Sequence, residues 1–101
     1  MTAYNKLVRD KIPDVIRRNG GNPSFHIAVC LEFEYQLKNK LREEVEEFCE
    51  SGSPEEIADI LEVIDAICKY HGFSKRTIER VKKKKARERG KFRKRIILEE
   101  A

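Results

Sequence analysis

Two pairs of carboxylates, Glu44 with Glu47 and Glu56 with Asp59, have the spacing to hold a divalent cation. At about 100° per helical residue, Leu37, Leu41, Val45 and Phe48 fall within an arc of roughly 80°, the expected buried stripe of one helix. Glu44 lands inside or just beside that stripe and Glu47 on its flank, whereas Glu43 and Glu46 point away from it. In the following segment Ile57, Ile60, Leu61, Val63, Ile64, Ile67 and Cys68 form a broad apolar face. Glu56 lies within that face and Asp59 at its edge, with Glu55, Glu62 and Asp65 toward the polar side. A three-residue spacing puts both members of each pair on one helical face, so an antiparallel hairpin would bring four oxygen donors together. Ionised carboxylates are costly to bury without compensation, and an all-carboxylate set selects a hard ion, Mg²⁺ or Mn²⁺, over zinc.

An ordinary acidic surface could supply the same residue types, with Glu56 completing a capping box and Glu47 solvated on a flank. Glu44 fits that alternative poorly, because it has no cap to serve. Residues 43–65 also hold ten carboxylates and no Lys or Arg, so no basic partner is expected within the cluster.

The elements that must position these side chains are helical. Residues 12–16, with Pro13 in the first turn and Gly20 and Gly21 behind, predict a short first helix. Leu31 to about Glu50 reads as the first long helix, broken by Ser51 and Gly52. Ser53, Pro54 and Glu56 form a helix start with a capping box, and that helix should run to about His71. Gly72 closes it, and Ser74 caps a basic helix that reaches about Arg89 before Gly90. The alternation in residues 25–29 and the β-branched run in 95–99 predict a short two-stranded β pair. The fold class is therefore mainly α, a helical hairpin forming a bundle, in one domain spanning residues 1–101. His26 and His71 read as structural.

Charge is segregated along the chain. Residues 75–95 contain 13 of the 22 Lys and Arg and only two acids, Glu79 and Glu88, for a local charge of +11. The net charge of +4 leaves −7 for the remainder. Acidic helices beside a basic segment suit a metal with a phosphate, while the basic segment alone would suit a nucleic-acid-binding module. Phe92 is the sole aromatic residue of 75–95 able to stack on a base, and the acidic helices would repel a phosphate backbone, so nucleic acid is not the expected partner. Three cysteines, Cys30, Cys49 and Cys68, show no CxxC spacing and are expected to be reduced, small core residues in a cytoplasmic protein. No stretch is apolar enough for export or for a bilayer span, so no membrane partner is expected.

Three strings carry a resemblance to a known family: Tyr4 to Pro13 (YNKLVRDKIP), Leu41 to Phe48 (LREEVEEF) and Glu55 to Ile64 (EEIADILEVI). The chain resembles the MazG-like, phosphoribosyl-ATP pyrophosphohydrolase-like branch of the all-α nucleoside triphosphate pyrophosphohydrolases, and residues 85–96 (KARERGKFRKRI) are similar to it as well. The resemblance implies an all-α bundle in which Glu44, Glu47, Glu56 and Asp59 bind Mg²⁺, with Lys6, Arg9, Lys85 and Arg89 as phosphate contacts. It implies attack of water, positioned by the metal, on the α-phosphorus of a nucleotide, giving a monophosphate and pyrophosphate, in the service of cleansing noncanonical nucleotides. Phosphoribosyl-ATP hydrolysis is the alternative reaction. The eight residues between Glu47 and Glu56 are fewer than that superfamily usually has, so the hairpin turn must be tight. Two long helices with wide apolar faces cannot cover one another in so short a chain, which predicts a homodimer or higher homo-oligomer.

Overall fold

The computed structural model describes residues 5–101, so Tyr4 of the first string and residues 1–4 of the expected domain lie outside the described residues. Among those described there are four helices: α1 (Ile12–Arg18), α2 (Cys30–Ser51), α3 (Pro54–His71) and α4 (Lys75–Arg89). This is the mainly α class expected from the periodicity.

Local chemistry accounts for the helix ends. Pro13 occupies the first turn of α1, where its missing N–H costs nothing, with Asp14 at the positive end and Arg17 and Arg18 at the negative end. Gly52 ends α2 in the left-handed region at φ 65°, and its N–H donates to the Phe48 carbonyl at 2.7 Å. Gly72 does the same for α3 at φ 75°, where Phe73 N–H donates to the Cys68 carbonyl at 2.8 Å. Ser74 caps α4, its Oγ accepting from the Thr77 N–H at 3.1 Å.

The start of α3 departs from the expected capping box. Ser53 makes no side-chain cap bond; Ser51 Oγ instead donates to Glu56 Oε1 at 2.9 Å and accepts from the Ser53 N–H at 3.3 Å. The turn is tight enough for the last hydroxyl of α2 to reach both Glu56 and the Ser53 amide.

Helices α2 and α3 form an antiparallel hairpin and are the only pair that packs broadly together among the described residues. Leu37 (2% exposed) and Val63 (8%) are its buried apolar centre. At the open end Phe33 and Tyr70 meet edge to face at 5.6 Å, and Tyr70 donates its hydroxyl to the Cys30 carbonyl at 3.1 Å. Burial, with Glu34 and Cys30 nearby, raises the Tyr70 hydroxyl above its ordinary pKa. His71 stacks on Phe73 at 5.2 Å, and His26 meets both oxygens of Glu32 at 2.9 Å.

Several expectations need correction. No strand forms among the described residues: 25–29 and 95–99 remain unpaired, and Phe25, Ile27, Val29, Ile96, Ile97 and Leu98 are exposed. An isolated two-stranded ribbon needs a surface to lie on, and α4 leads the second segment away from the hairpin without packing on it. Cys30 and Cys49 are exposed, not core, and Cys68 is half-buried. Val45 lies at the rim of the α2 stripe and is also exposed. The resulting shape is long, 55 × 31 × 24 Å, and no helix among the described residues is long and apolar enough to cross a membrane.

Candidate metal centre

Glu44 is the centre of the acidic cluster. It projects from the packed side of α2 and is 5% exposed, the one buried charged residue among those described. Its Oε1 meets Lys40 Nζ at 3.2 Å, one turn earlier on the same helix, while its Oε2 is buried with no hydrogen-bond partner. A carboxylate oxygen in that state has an unmet demand for a proton or a cation.

Glu47 lies on the exposed flank of α2, one turn beyond Glu44. Its carboxyl is held above the ordinary carboxylate range, first because a proton on it can be shared with Glu44 and then through the charge of Glu44, partial desolvation, and the charges of Glu43 and Glu56. Glu44, Glu47 and Glu56 therefore sense one another across the turn. Glu56 is half-buried at the start of α3 and engaged by Ser51.

Asp59, one turn further along α3, is drawn elsewhere: its Oδ1 accepts from Arg9 at 2.7 Å, and Arg9 also reaches Glu62 at 3.7 Å. Among the described residues no three His, Cys, Asp or Glu side chains converge as a ready ligand set. The structure thus brings Glu44, Glu47 and Glu56 into electrostatic contact, with Asp59 turned toward Arg9.

The cations come from outside the acidic stretch, which corrects the expectation of a cluster without basic partners. Lys40 serves Glu44 and, at 3.4 Å, Glu43; Lys6 meets Glu43 at 3.5 Å. Residues 5–9 lie against the hairpin, and Gln36 fixes them by donating to the Asn5 carbonyl at 3.3 Å. Lys6 and Arg9 thereby reach the acidic side from 37 and 50 residues away in sequence. Lys40 is the residue that sequence reasoning missed. Its signal was the i, i+4 spacing to Glu44, a Lys one helical turn before a carboxylate in an apolar stripe.

The other two candidate phosphate contacts lie apart. Lys85 and Arg89 are exposed on α4 and form no ion pair with the four carboxylates. Arg89 lines an open cleft of about 480 Å³ with Ala86, Gly90, Lys91, Arg93, Lys94 and Ile96. No family model, curated protein or solved structure matches the chain.

Proposed function

We propose that the chain is a Mg²⁺-dependent nucleoside triphosphate pyrophosphohydrolase, releasing pyrophosphate and a nucleoside monophosphate. The observation that carries this reading is the buried, unpartnered Oε2 of Glu44 among carboxylates close enough to raise Glu47. The donor set is all oxygen, which suits Mg²⁺ or Mn²⁺. Glu44, Glu47, Glu56 and Asp59 would hold the ion, which supplies Lewis-acid polarisation of phosphoryl oxygens.

The protein's own side chains do the rest. Lys40 holds Glu44 in position through its 3.2 Å contact while the site is being filled. Arg9 holds Asp59 ready by an exposed, exchangeable ion pair; a phosphate bound there competes for the guanidinium and frees the carboxylate. Lys6, likewise exposed, adds a point charge for the leaving pyrophosphate. Ser51 orients Glu56 so that its second oxygen remains available. One of these carboxylates can accept the proton of the attacking water.

The test is pyrophosphate release from a panel of nucleotides, phosphoribosyl-ATP included, with and without Mg²⁺. Metal-dependent release that Glu44→Gln abolishes is expected. Release from no nucleotide, with Glu44→Gln indistinguishable from wild type, overturns the reading.

A second reading draws on α4. Of the thirteen cations in residues 75–95, only Lys84 meets a carboxylate, Glu88 at 4.0 Å. A nucleic-acid module would show a salt-dependent shift of DNA or RNA that survives loss of all four carboxylates.

A further inference from the structure

Residues 75–98 carry two kinds of exposed side chain. The stretch 75–95 has a charge of +11, and Glu99 and Glu100 beyond it lower this only to +9 for residues 75–100. Among the described residues Lys84 alone of its thirteen cations meets a carboxylate, Glu88 at 4.0 Å, and α4 packs broadly on no other helix, so the acids of the hairpin do not neutralise it. Among and directly behind the last of these cations come Phe92, Ile96, Ile97 and Leu98, between 76% and 96% exposed.

The backbone gathers the two kinds at one place. Helix α4 ends at Gly90, and the Arg95 N–H then donates to the Phe92 carbonyl at 3.3 Å in a turn where Arg95 takes the left-handed region at φ 57°. That turn sets Phe92, Ile96 and Ile97 around one open cleft of about 420 Å³ together with Arg89, Lys91 and Lys94. Along α4, at about 100° per residue, Ile78 and Val81 share an arc of roughly 100° with Lys82, Lys85 and Arg89, and neither Glu79 nor Glu88 falls inside it. Ile78 and Val81 are exposed as well. One side of the helix therefore continues the pattern of the turn, apolar side chains flanked by cations.

We propose that residues 75–98 dock this protein on an anionic lipid surface, with α4 lying in the plane of the headgroups. The Lys and Arg heads reach the charged headgroups while their methylene stems stay among apolar neighbours. Phe92, Ile96, Ile97 and Leu98 enter the boundary between headgroups and acyl chains. A polybasic patch and an apolar group on one segment are the two signals that stable attachment takes. No helix among the described residues is long and apolar enough to cross a bilayer, and docking in the headgroup plane does without one.

Nucleic acid would meet the same cations, and the apolar side chains separate the two partners. Bases stack on aromatic rings, of which this segment has Phe92 alone. Ile78, Val81, Ile96, Ile97 and Leu98 have no π-face for a base, whereas the acyl boundary accepts them all.

The test is flotation of the full chain with vesicles of phosphatidylcholine and phosphatidylserine, set against vesicles of phosphatidylcholine alone. Binding is expected on the mixed vesicles, falling as salt rises, and about tenfold weaker or less on phosphatidylcholine alone. Ile96→Ser/Ile97→Ser/Leu98→Ser removes apolar groups at constant charge and should weaken mixed-vesicle binding about tenfold. Lys82→Gln/Lys85→Gln/Arg89→Gln should weaken it at least about tenfold by charge. All six side chains are exposed, so both variants spare the fold. The chain has no Trp, and Phe92→Trp supplies a single reporter whose emission should shift to the blue on mixed vesicles and be quenched by lipids brominated in the acyl chain. Equal binding to both kinds of vesicle, or binding to neither, overturns the docking. Binding without acyl-chain quenching, or a serine variant as tight as wild type, overturns the entry of the apolar side chains. A DNA or RNA oligonucleotide bound more tightly than mixed vesicles at the same salt, with the serine variant unchanged on both, assigns the segment to nucleic acid instead. A chain inactive on every nucleotide would still float with these vesicles, so failure of the catalytic reading and failure of the docking are told apart.

Discussion

Lys40→Met should cost far more stability than Glu44→Gln, although the two residues form one ion pair. Lys40 Nζ lies 3.2 Å from Glu44 Oε1, with side-chain exposures of 17% and 7%. Removing the ammonium leaves a buried carboxylate whose Oε2 already has no partner. Breaking a buried pair from one side costs about 3–5 kcal/mol, and the partial exposure of Lys40 places this case near about 3 kcal/mol. For a domain of this size that is about 12–24 °C in Tm. Glu44→Gln removes the buried charge itself and leaves Lys40 with Glu43 at 3.4 Å, so its cost should stay below about 1 kcal/mol. The double variant Lys40→Met/Glu44→Gln should regain most of what Lys40→Met loses. The assay is thermal unfolding by circular dichroism at pH 7, in chelator and at one protein concentration. Adding Mg²⁺ should then raise Lys40→Met more than wild type, by up to about 2.7 kcal/mol at a hundredfold excess over Kd, since the ion replaces the lost cation. A Lys40→Met within about 1 kcal/mol of wild type, or a double variant no better than the single, refutes the claim that Glu44 depends on a neighbouring positive charge.

Three further outcomes are expected. Glu47 has a raised pKa, so the native state holds its proton more tightly than the unfolded chain does and loses stability as pH rises through the raised value. In chelator Glu47→Gln should therefore melt above wild type at neutral pH, with the gap closing toward the ordinary carboxylate range near 4.5; a gap independent of pH contradicts this. Arg9→Ala breaks two exposed ion pairs and should cost no more than about 1 kcal/mol in urea unfolding, while raising KM for a nucleotide about tenfold. Gly52→Ala should lose about 1–2 kcal/mol, because φ is 65° and an added Cβ meets no atom within 4 Å; a loss beyond about 3 kcal/mol would mean that crowding, not backbone strain, sets the need for glycine.

Local signals were legible in the sequence and distant partnerships were not. Pro54, Gly72, Ser74 and Gly90 mark helix boundaries through φ preferences and caps, and the helices begin and end within a residue or two of those marks. The placement of Glu44 in an apolar stripe follows from angular arithmetic alone and matches its burial. The partners of Asp59 and Glu43 are harder to read. Arg9 and Lys6 arrive through a chain segment whose path depends on the Asn5–Gln36 hydrogen bond, and no periodicity encodes that contact. Ser51, not Ser53, engages Glu56 because the turn is tight enough for two serines to compete, a distinction of geometry and not of composition. The β-branched run in 95–99 expressed a propensity with no surface to satisfy it.

The solitary course of α4 has a consequence for its backbone amides. A helix of 15 residues is marginal in water without packing, and α4 sets Lys83 against Arg87 and Lys85 against Arg89 one turn apart. Its own chain gives it a Ser74 cap and one Lys84–Glu88 contact at 4.0 Å. In dilute protein at low salt its amides should exchange with deuterium almost as fast as in an unstructured peptide, while those around Leu37 and Val63 stay protected. Whatever neutralises α4, whether a second chain, a nucleotide or a simple salt, should slow that exchange, so the hydrogens of one helix record its occupancy.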